Sequence, residues 1–479
     1  MIIHPYVVTT FWVLVSALDI FTIVRAVSRG VGVEGTLAWI FFIVAFPGVG
    51  GVTYLLLASP SIKRTAKRKR RSRASVRESL SARARADRTP DVALSRQEES
   101  ILELATALAG LPPSARNSVE LLADSERAFE EFEEAVRGAK KSIWAEYYII
   151  RNDETGRRFL DILAEKTREG VEVRLLYDAF GSLRIDAGRL AAIRAGGGKA
   201  EVFLSLNPLR RRWSVHLRNH RKMIIIDGQL GFTGGMNVGD EYSGRLRRRG
   251  GQRFHDSHLA IRGPAVGDLM QAFAEDWLFA TEETIDVPAP PAGIEGAKSI
   301  VAIVQSGPDQ EHNASGLVHF TGVACALERA YLTSPYFIPD QAMVRSLVSA
   351  AMRGVDVRLL VPRHCDVAIV GPAGRSYYRE LLRGGVRIFE YLPSMLHAKT
   401  MVVDGAWGIV GSANVDMRSF RLNFELGALV IDPNFAGLLE GRFLDDLKQS
   451  EEVTAEEWSG RGFWPRLRDG VARLLSPLL

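Results

Sequence analysis

The sequence repeats itself. Gly170-Val-Glu-Val-Arg-Leu-Leu-Tyr177 returns as Gly354-Val-Asp-Val-Arg-Leu-Leu-Val361. A strand-like run precedes each copy, Ile143–Ile149 in the first and Tyr331–Ile338 in the second. Between the paired runs lies a helical pattern, Arg157–Arg168 and then Gln341–Arg353. Each copy continues through a Gly-Gly step, another strand and a polar motif. Such alternation predicts an α/β fold, with a sheet flanked by helices in each of two duplicated lobes. Lobe one is expected over 97–286 and lobe two over 298–447, joined by the linker Pro288-Ala-Pro-Pro-Ala-Gly293.

The polar motifs carry the chemistry. The first reads His220-Arg-Lys222-Met-Ile-Ile-Ile-Asp227, then Gly234-Gly-Met-Asn237; the second reads His397-Ala-Lys399-Thr-Met-Val-Val-Asp404, then Gly411-Ser412-Ala-Asn414. His and Asn stand 17 residues apart in both. Residues i and i+2 of a strand share a face, so each His projects with its Lys. Two ammonium groups and two amides suit an anion with several oxygens, such as a phosphodiester. A neutral imidazole can attack phosphorus there, and a protonated one can give a proton to the leaving alkoxide. The lysines supply positive charge, so no metal and no cofactor is expected. A nucleophilic His needs a partner on its other ring nitrogen. Asp256 and Glu425, which follow the motifs just before apolar runs, are the candidates. Nucleophile and acid of one residue type must have their pKa values pushed apart by their surroundings.

The N-terminus is of another kind. From Val7 to Val24 the only charge is Asp19, and from Thr36 to Ala58 there is none. Each run is long enough to cross a hydrocarbon core of about 30 Å. Residues 1–60 therefore read as a transmembrane helical hairpin rather than a cleaved signal peptide, because no Lys or Arg precedes the first run. Asp19 reads as a polar residue near a helix end. Lys63, Arg64, Lys67, Arg68, Lys69, Arg70, Arg71 and Arg73 follow, within a basic juxtamembrane linker over 61–96. The positive-inside rule then puts the lobes in the cytoplasm and the basic run on anionic headgroups. A nucleic-acid tail is the less favoured reading.

Composition agrees. The chain has 479 residues, a net charge of only +5, 47% hydrophobic and 24% charged residues. That is too apolar for a disordered chain and too charged for a polytopic membrane protein. Its two cysteines exclude a disulfide framework and a four-cysteine zinc site.

Both motifs are complete, and the chain resembles the phospholipase D superfamily, whose signature HxKxxxxD followed by GSxN occurs twice. More narrowly it resembles the bacterial cardiolipin synthases of the two-span type. The stretches Asn219–Gly228, Gly231–Tyr242, Ser334–Asp340 and Asn414–Glu425, the N-terminal hairpin and the terminal Ser476-Pro-Leu-Leu479 carry the likeness. One departure is Gly235, where the pattern has Ser; Ser412 keeps the hydroxyl in copy two. The resemblance implies one cleft between lobes related by a pseudo-twofold axis. His220, Lys222, Asp227, His397, Lys399 and Asp404 make up its catalytic motifs, with Asp227 and Asp404 structural. His220 and His397 serve as nucleophile and acid–base, His220 being preferred as nucleophile by analogy. Asn237, Asn414 and Ser412 join the lysines at the phosphate, and Asp256 and Glu425 orient the histidines. The implied reaction is phosphatidyl transfer between two phosphatidylglycerol molecules, giving cardiolipin and glycerol through a phosphohistidine at the cell membrane. A phospholipase D-type hydrolase, or a transphosphatidylase using another phospholipid, is the alternative. A nuclease or an inactive scaffold fits less well. Implied partners are phosphatidylglycerol and an anionic membrane surface, with no nucleic acid; a homodimer is left open.

Other residues receive plainer readings. His216, His255, His258, His312, His319 and His364 are expected to be ordinary surface or core histidines. Asp240, Glu241 and Tyr242 suit either a turn or an acceptor site. Arg245–Arg249 reads as a solvated loop. The amphipathic C-terminal segment, 448–479, is placed either on lobe two or on the membrane.

Overall fold

A computed structural model of the chain describes residues 5–28, 33–57, 61–80, 93–207, 214, 216–244 and 253–474. The chain divides into two compact units, Met1–Thr65 and Ala66–Leu479. The basic run Arg245–Arg249 and the terminal Ser476–Leu479 lie outside the described residues.

The large unit is built on one mixed sheet whose halves correspond strand for strand. Outward from the centre, the first half runs Ser114–Leu122, His258–Arg262, Leu230–Gly234, Met223–Ile226, Ser142–Tyr147, Glu172–Tyr177, Lys199–Val202. The second runs Ser299–Ser306, Asn423–Ile431, Trp407–Gly411, Thr400–Val403, Arg329–Thr333, Asp356–Pro362, Arg387–Tyr391, with Ser450–Val453 added at the edge. The halves join antiparallel at Ser114↔Val301 and Asn117↔Ser299. The repeated Gly-Val-x-Val-Arg-Leu-Leu segments explain part of this symmetry. Gly170 and Gly354 sit at φ 84° and 91°, where a residue with a Cβ is strained, and turn the preceding helix into the next parallel strand.

Each half keeps its own apolar core. The helix Arg96–Ala109, inside the span expected for lobe one, packs its Ile101, Leu102 and Ala105 into the core of lobe two. The helix Ala265–Thr281 is buried on nearly every face, including Glu275 and Asp276. Buried carboxylates need countercharges. The helix Ser61–Leu80 brings them: Lys69 Nζ lies 2.6 Å from Asp276, Arg77 Nε 3.2 Å from Glu275, and Arg73 3.9 Å from both Glu275 and Asp309. This corrects the expectation for the basic run. Lys69 and Arg73 are buried within the large unit rather than spread on headgroups, while Arg64, Lys67 and Arg71 stay exposed. The C-terminal segment also packs on lobe two, through Ser450–Val453 and the helix Phe463–Arg473.

In the small unit, one helix among the described residues is long and apolar enough to span a bilayer, Tyr6–Ser28. The second apolar run forms two shorter helices, Val33–Ala45 and Val49–Leu57. Pro47 separates them, since it has no N–H to donate and disfavours a helical Phe46 before it. Asp19 lies mid-helix, not near an end, and its carboxylate accepts the Gly48 N–H at 3.0 Å in the break.

Candidate active site

Each motif begins on a strand buried along its whole length, Met223–Ile226 and Thr400–Val403. Ile and Val fill both faces of it, so the preceding His and Lys are delivered at a fixed edge. Asp227 and Asp404 close these strands into Asp-Gly turns, at φ 53° and 52°. Their carboxylates accept backbone N–H groups, those of Lys140, Lys141 and Ser142 for Asp227, and of Leu327, Glu328 and Arg329 for Asp404. Burial alone would raise both carboxyls, but these bonds outweigh it and hold both below the usual range.

The two lobes then exchange partners. Arg218–Asn219 pairs in parallel with Asn423–Phe424 of lobe two, and His220 N–H donates to Phe424 O at 2.9 Å. This sets His220 Nδ1 2.9 Å from Glu425 Oε2. Met395–Leu396 pairs in parallel with Phe254–His255 of lobe one, and His397 N–H donates to His255 O at 2.7 Å. This sets His397 Nδ1 2.6 Å from Asp256 Oδ2. Each histidine is therefore oriented by a carboxylate of the other lobe.

The carboxylates are themselves held. Glu425 receives the Ser412 hydroxyl and, at 3.1 Å, the Asn423 amide. Asp256 receives the Ser257 N–H at 2.7 Å. Burial lowers His220 to about 4, with Glu425 opposing and Lys222 assisting. Burial and Lys399 likewise lower His397. Burial pushes Glu425 and Asp256 upward, but His220 and Lys222 outweigh it at Glu425, and Lys399 and His397 at Asp256, so both stay ionised. At rest both imidazoles are neutral; His220 donates from Nδ1 to Glu425, which leaves its Nε2 lone pair for chemistry, while His397 has Lys399 Nζ 3.2 Å from its Nε2.

Both lysines are buried and lie within each other's field. Lys222 Nζ donates to His220 O at 2.6 Å, and Lys399 Nζ to His397 O. Lys399 Nζ also stands 2.7 Å from His397 Nδ1 and 3.9 Å from Asp256. Burial lowers Lys222 well below its ordinary value and Lys399 to about 8, so both gain from a bound anion.

Over residues 133–277 and 323–447 the sequence matches the family described as "Cardiolipin synthase, PLD-like domain". Residues 10–58 match "Phospholipase_D-nuclease N-terminal". The chain is 36% identical to a cardiolipin synthase of Geobacillus kaustophilus over 93% of this chain and 89% of that one. It is 34% identical to cardiolipin synthase A of Pseudomonas fluorescens, with 99% of both chains covered. The chain belongs to the cardiolipin synthase family. Its fold is shared with a phosphatidylserine synthase of Haemophilus influenzae, at a TM-score of 0.61 and 15% identity, over 79% of this chain and all of that one.

Against this family's double motif, the structure gathers His220, Lys222, Glu425 and Ser412 into one constellation, and His397, Lys399 and Asp256 into another. Asn237 is buried with its amide donating to Tyr242 OH at 2.8 Å and its carbonyl accepting from Ile149 N–H at 3.2 Å. Asn414 is buried too, with Oδ1 lacking a hydrogen-bond partner among the described residues. Ser412, expected at the phosphate, has its hydroxyl between Glu425 and the Leu426 N–H. Asp227 and Asp404 are occupied at their turns.

The Gly235 departure has a spatial reason. A Cβ there would stand 2.1 Å from Asp256 Oδ1. Where copy two pairs a serine with a glutamate, copy one pairs a glycine with an aspartate occupying the same space.

Sequence reasoning gave Tyr242 as an acceptor-site candidate but missed the other aromatic walls. Tyr148 meets His220 edge-on with ring centres 4.9 Å apart; Phe254 stacks on His397 at 5.1 Å, and Tyr242 meets it edge-on at 5.4 Å. Tyr148 and Phe254 adjoin segments already singled out, but only the fold shows which ring they face. Asp240 and Glu241 act at a turn, on Thr155 N–H and Arg151. His255 binds Asp446 at 3.0 Å and His319 its own helix at Ser315, while His312 and His364 are exposed. A hollow of about 740 Å³ between Arg194–Ser205 and Trp277–Glu283 holds no motif residue. Among the described residues no cluster of metal-ligating side chains occurs.

Proposed function

We propose that the chain joins two phosphatidylglycerol molecules into cardiolipin and glycerol through a phosphohistidine. The reading is carried by the crossed pairs His220–Glu425 and His397–Asp256. His220 Nε2 attacks phosphorus. The bond from phosphorus to the glycerol oxygen breaks, and His397 gives that oxygen its proton. The glycerol hydroxyl of a second phosphatidylglycerol then attacks, passing its proton to His397, and the P–N bond breaks to restore His220. Lys222, Lys399, Asn414 and the second amide N–H of Asn237 bind the non-bridging oxygens. Ser412 steadies Glu425.

His220 is the nucleophile in this scheme. Its carboxylate is fixed by two further side chains, and burial keeps its imidazole neutral at physiological pH. His397 must be protonated before it can act as acid. Its low resting pKa is raised when the phosphodiester brings its negative charge. Competition from water is met by positioning the acceptor hydroxyl, which raises its effective molarity, in a site kept dry by Tyr148, Tyr242 and Phe254.

The helices Tyr6–Ser28, Val33–Ala45 and Val49–Leu57 serve as a two-pass anchor, with the lobes in the cytoplasm. Protease added outside intact cells is expected to spare the lobes; their digestion would reverse the orientation.

The decisive test is mass-spectrometric product analysis with phosphatidylglycerol as the only lipid. Cardiolipin and glycerol in equal amounts, without added nucleotide, are expected. Phosphatidic acid as sole product would make the protein a hydrolase, and a requirement for CDP-diacylglycerol would overturn the scheme.

A further inference from the structure

The helix Phe463–Arg473 packs on lobe two the wrong way round for a soluble protein. Surface helices normally turn their apolar stripe to the core. Here Asp469 and Ala472 are buried, while Phe463, Trp464, Leu467, Val471 and Leu474 are exposed, Trp464 by 75% and Leu474 by 79%. Their spacing keeps all five within about 100° of arc on an α-helix. Arg466 and Arg468 flank the stripe, one on each side. Ala472 enters the apolar core of lobe two, and the charged groups close the helix onto its own segment and onto Tyr377. Asp469 is held by Arg461 at 2.8 Å and Arg468 at 3.2 Å, Arg461 lies over Trp458, and Arg473 lies over Tyr377 at 4.4 Å.

We propose that this helix is an in-plane interfacial anchor whose occupant is the anionic surface of the bilayer. An aromatic pair at one end, aliphatic residues along the stripe and arginines on its borders match a headgroup–acyl boundary. A second protein copy would meet arginines on both borders of each stripe, whereas anionic headgroups complement them.

The helix is tied to the site. It packs on Val370–Arg375, which directly follows the loop of Asp366 and Val367. Asp366 accepts the Tyr336 hydroxyl at 2.8 Å, and its charge is felt at Lys399. Seating the stripe in the interface therefore places the rim of the His397 constellation at the level where lipid phosphates lie. This consequence rests on the phosphatidyl-transfer reading; the docking itself does not.

Photo-crosslinking of the full chain tests it. p-Benzoylphenylalanine replaces Trp464, Leu467 or, as a control outside the stripe, Met352, which is also exposed. The protein is reconstituted in vesicles of phosphatidylglycerol and phosphatidylcholine and irradiated. Lipid adducts at 464 and 467, several-fold above those at 352, are expected. Crosslinks between chains, adducts no more frequent than at 352, or none would overturn the proposal. A second variant, Leu467→Glu with Val471→Glu, reads function. Turnover of vesicle phosphatidylglycerol should fall about tenfold, with turnover of a water-soluble short-chain phosphatidylglycerol unchanged. An equal loss on both substrates, or on neither, refutes the anchor. Absence of transfer by the wild type on either substrate would instead refute the proposed function and leave the crosslinking result standing.

Discussion

Glu425→Gln removes one charge from the proposed nucleophile's support and almost nothing else. Every neighbour of the carboxylate is a donor: His220 Nδ1, the Asn423 amide at Oε1 and the Ser412 hydroxyl at Oε2. A glutamine would keep its carbonyl toward His220 and Asn423 and turn its NH₂ toward Ser412, whose hydroxyl can accept as well as donate. Shape survives, and His220 Nδ1, 3.0 Å from Oε1 and 2.9 Å from Oε2, keeps one acceptor of its two. The lost charge stood about 4 Å, centre to centre, from the ring that becomes cationic on attack. At an effective dielectric of about 20 such a pair is worth about 4 kcal/mol. Allowing for the amide dipole that remains, formation of the phosphoenzyme should slow by about 10² to 10³. Rapid acid quench after mixing with radiolabelled phosphatidylglycerol measures it. Comparison with Asp256→Asn separates the two histidines. A phosphatidyl ester of p-nitrophenol needs no general acid to expel its leaving group. With it, Asp256→Asn and His397→Ala should regain a burst of nitrophenol, and Glu425→Gln should not. A burst from Glu425→Gln with none from Asp256→Asn would exchange the roles, and less than a threefold effect of either would refute orientation by carboxylates.

Three further outcomes follow from the same geometry. Gly235→Ser puts a Cβ 2.1 Å from Asp256 Oδ1 and should cut transfer more than tenfold through displacement of that carboxylate, with partial recovery in Gly235→Ala only if the contact is not the cause. Lys69→Met leaves the buried Asp276 with Arg221 as its remaining cation; a loss of about 2–3 kcal/mol is expected in thermal unfolding, and a shift under 1 kcal/mol would mean the contact contributes little. His220 and His258, both lowered to about 4 by burial, bind protons in the unfolded chain before the folded one, so stability rises with pH between about 4 and 6.5 and is lost on acidification through that window. Asp256 and Glu425, held low by their partners, add in the same direction. His258→Gln should flatten the slope of melting temperature against pH, and an unchanged slope would show that His258 does not titrate differently on folding.

Much of the fold was legible because the chain states it twice. Matching strands, the glycine after each helix and the two motifs fix the α/β alternation from either copy alone. Asp256 and Glu425 were visible as acids placed before apolar runs. What one dimension hides is who meets whom. The cations Lys69 and Arg73 look like headgroup ligands until Glu275 and Asp276 are seen buried on an otherwise apolar helix. A signal existed there, since two adjacent acids amid Ala, Phe, Trp and Leu require partners. The second apolar run reads as one span by composition, yet Pro47 and Gly48 divide it. The C-terminal stripe reads the same whether it faces core or solvent; the face that carries Ala472 and Arg473 is the one that meets lobe two.

The crossed carboxylates make each lobe depend on the other. Had Glu425 served His397 and Asp256 served His220, either lobe could hold a complete histidine–carboxylate pair alone. Instead the dipeptide before His220 is a strand partner of lobe two, and the dipeptide before His397 is a strand partner of lobe one. Separation would break both pairings, both orienting bonds and the central seam at Ser114–Asn117 together. The two sites can then diverge without losing one another. Glycine with aspartate on one side, and serine with glutamate on the other, give two histidines of one residue type different surroundings. That asymmetry suits the proposed reaction, which needs one nucleophile and one acid.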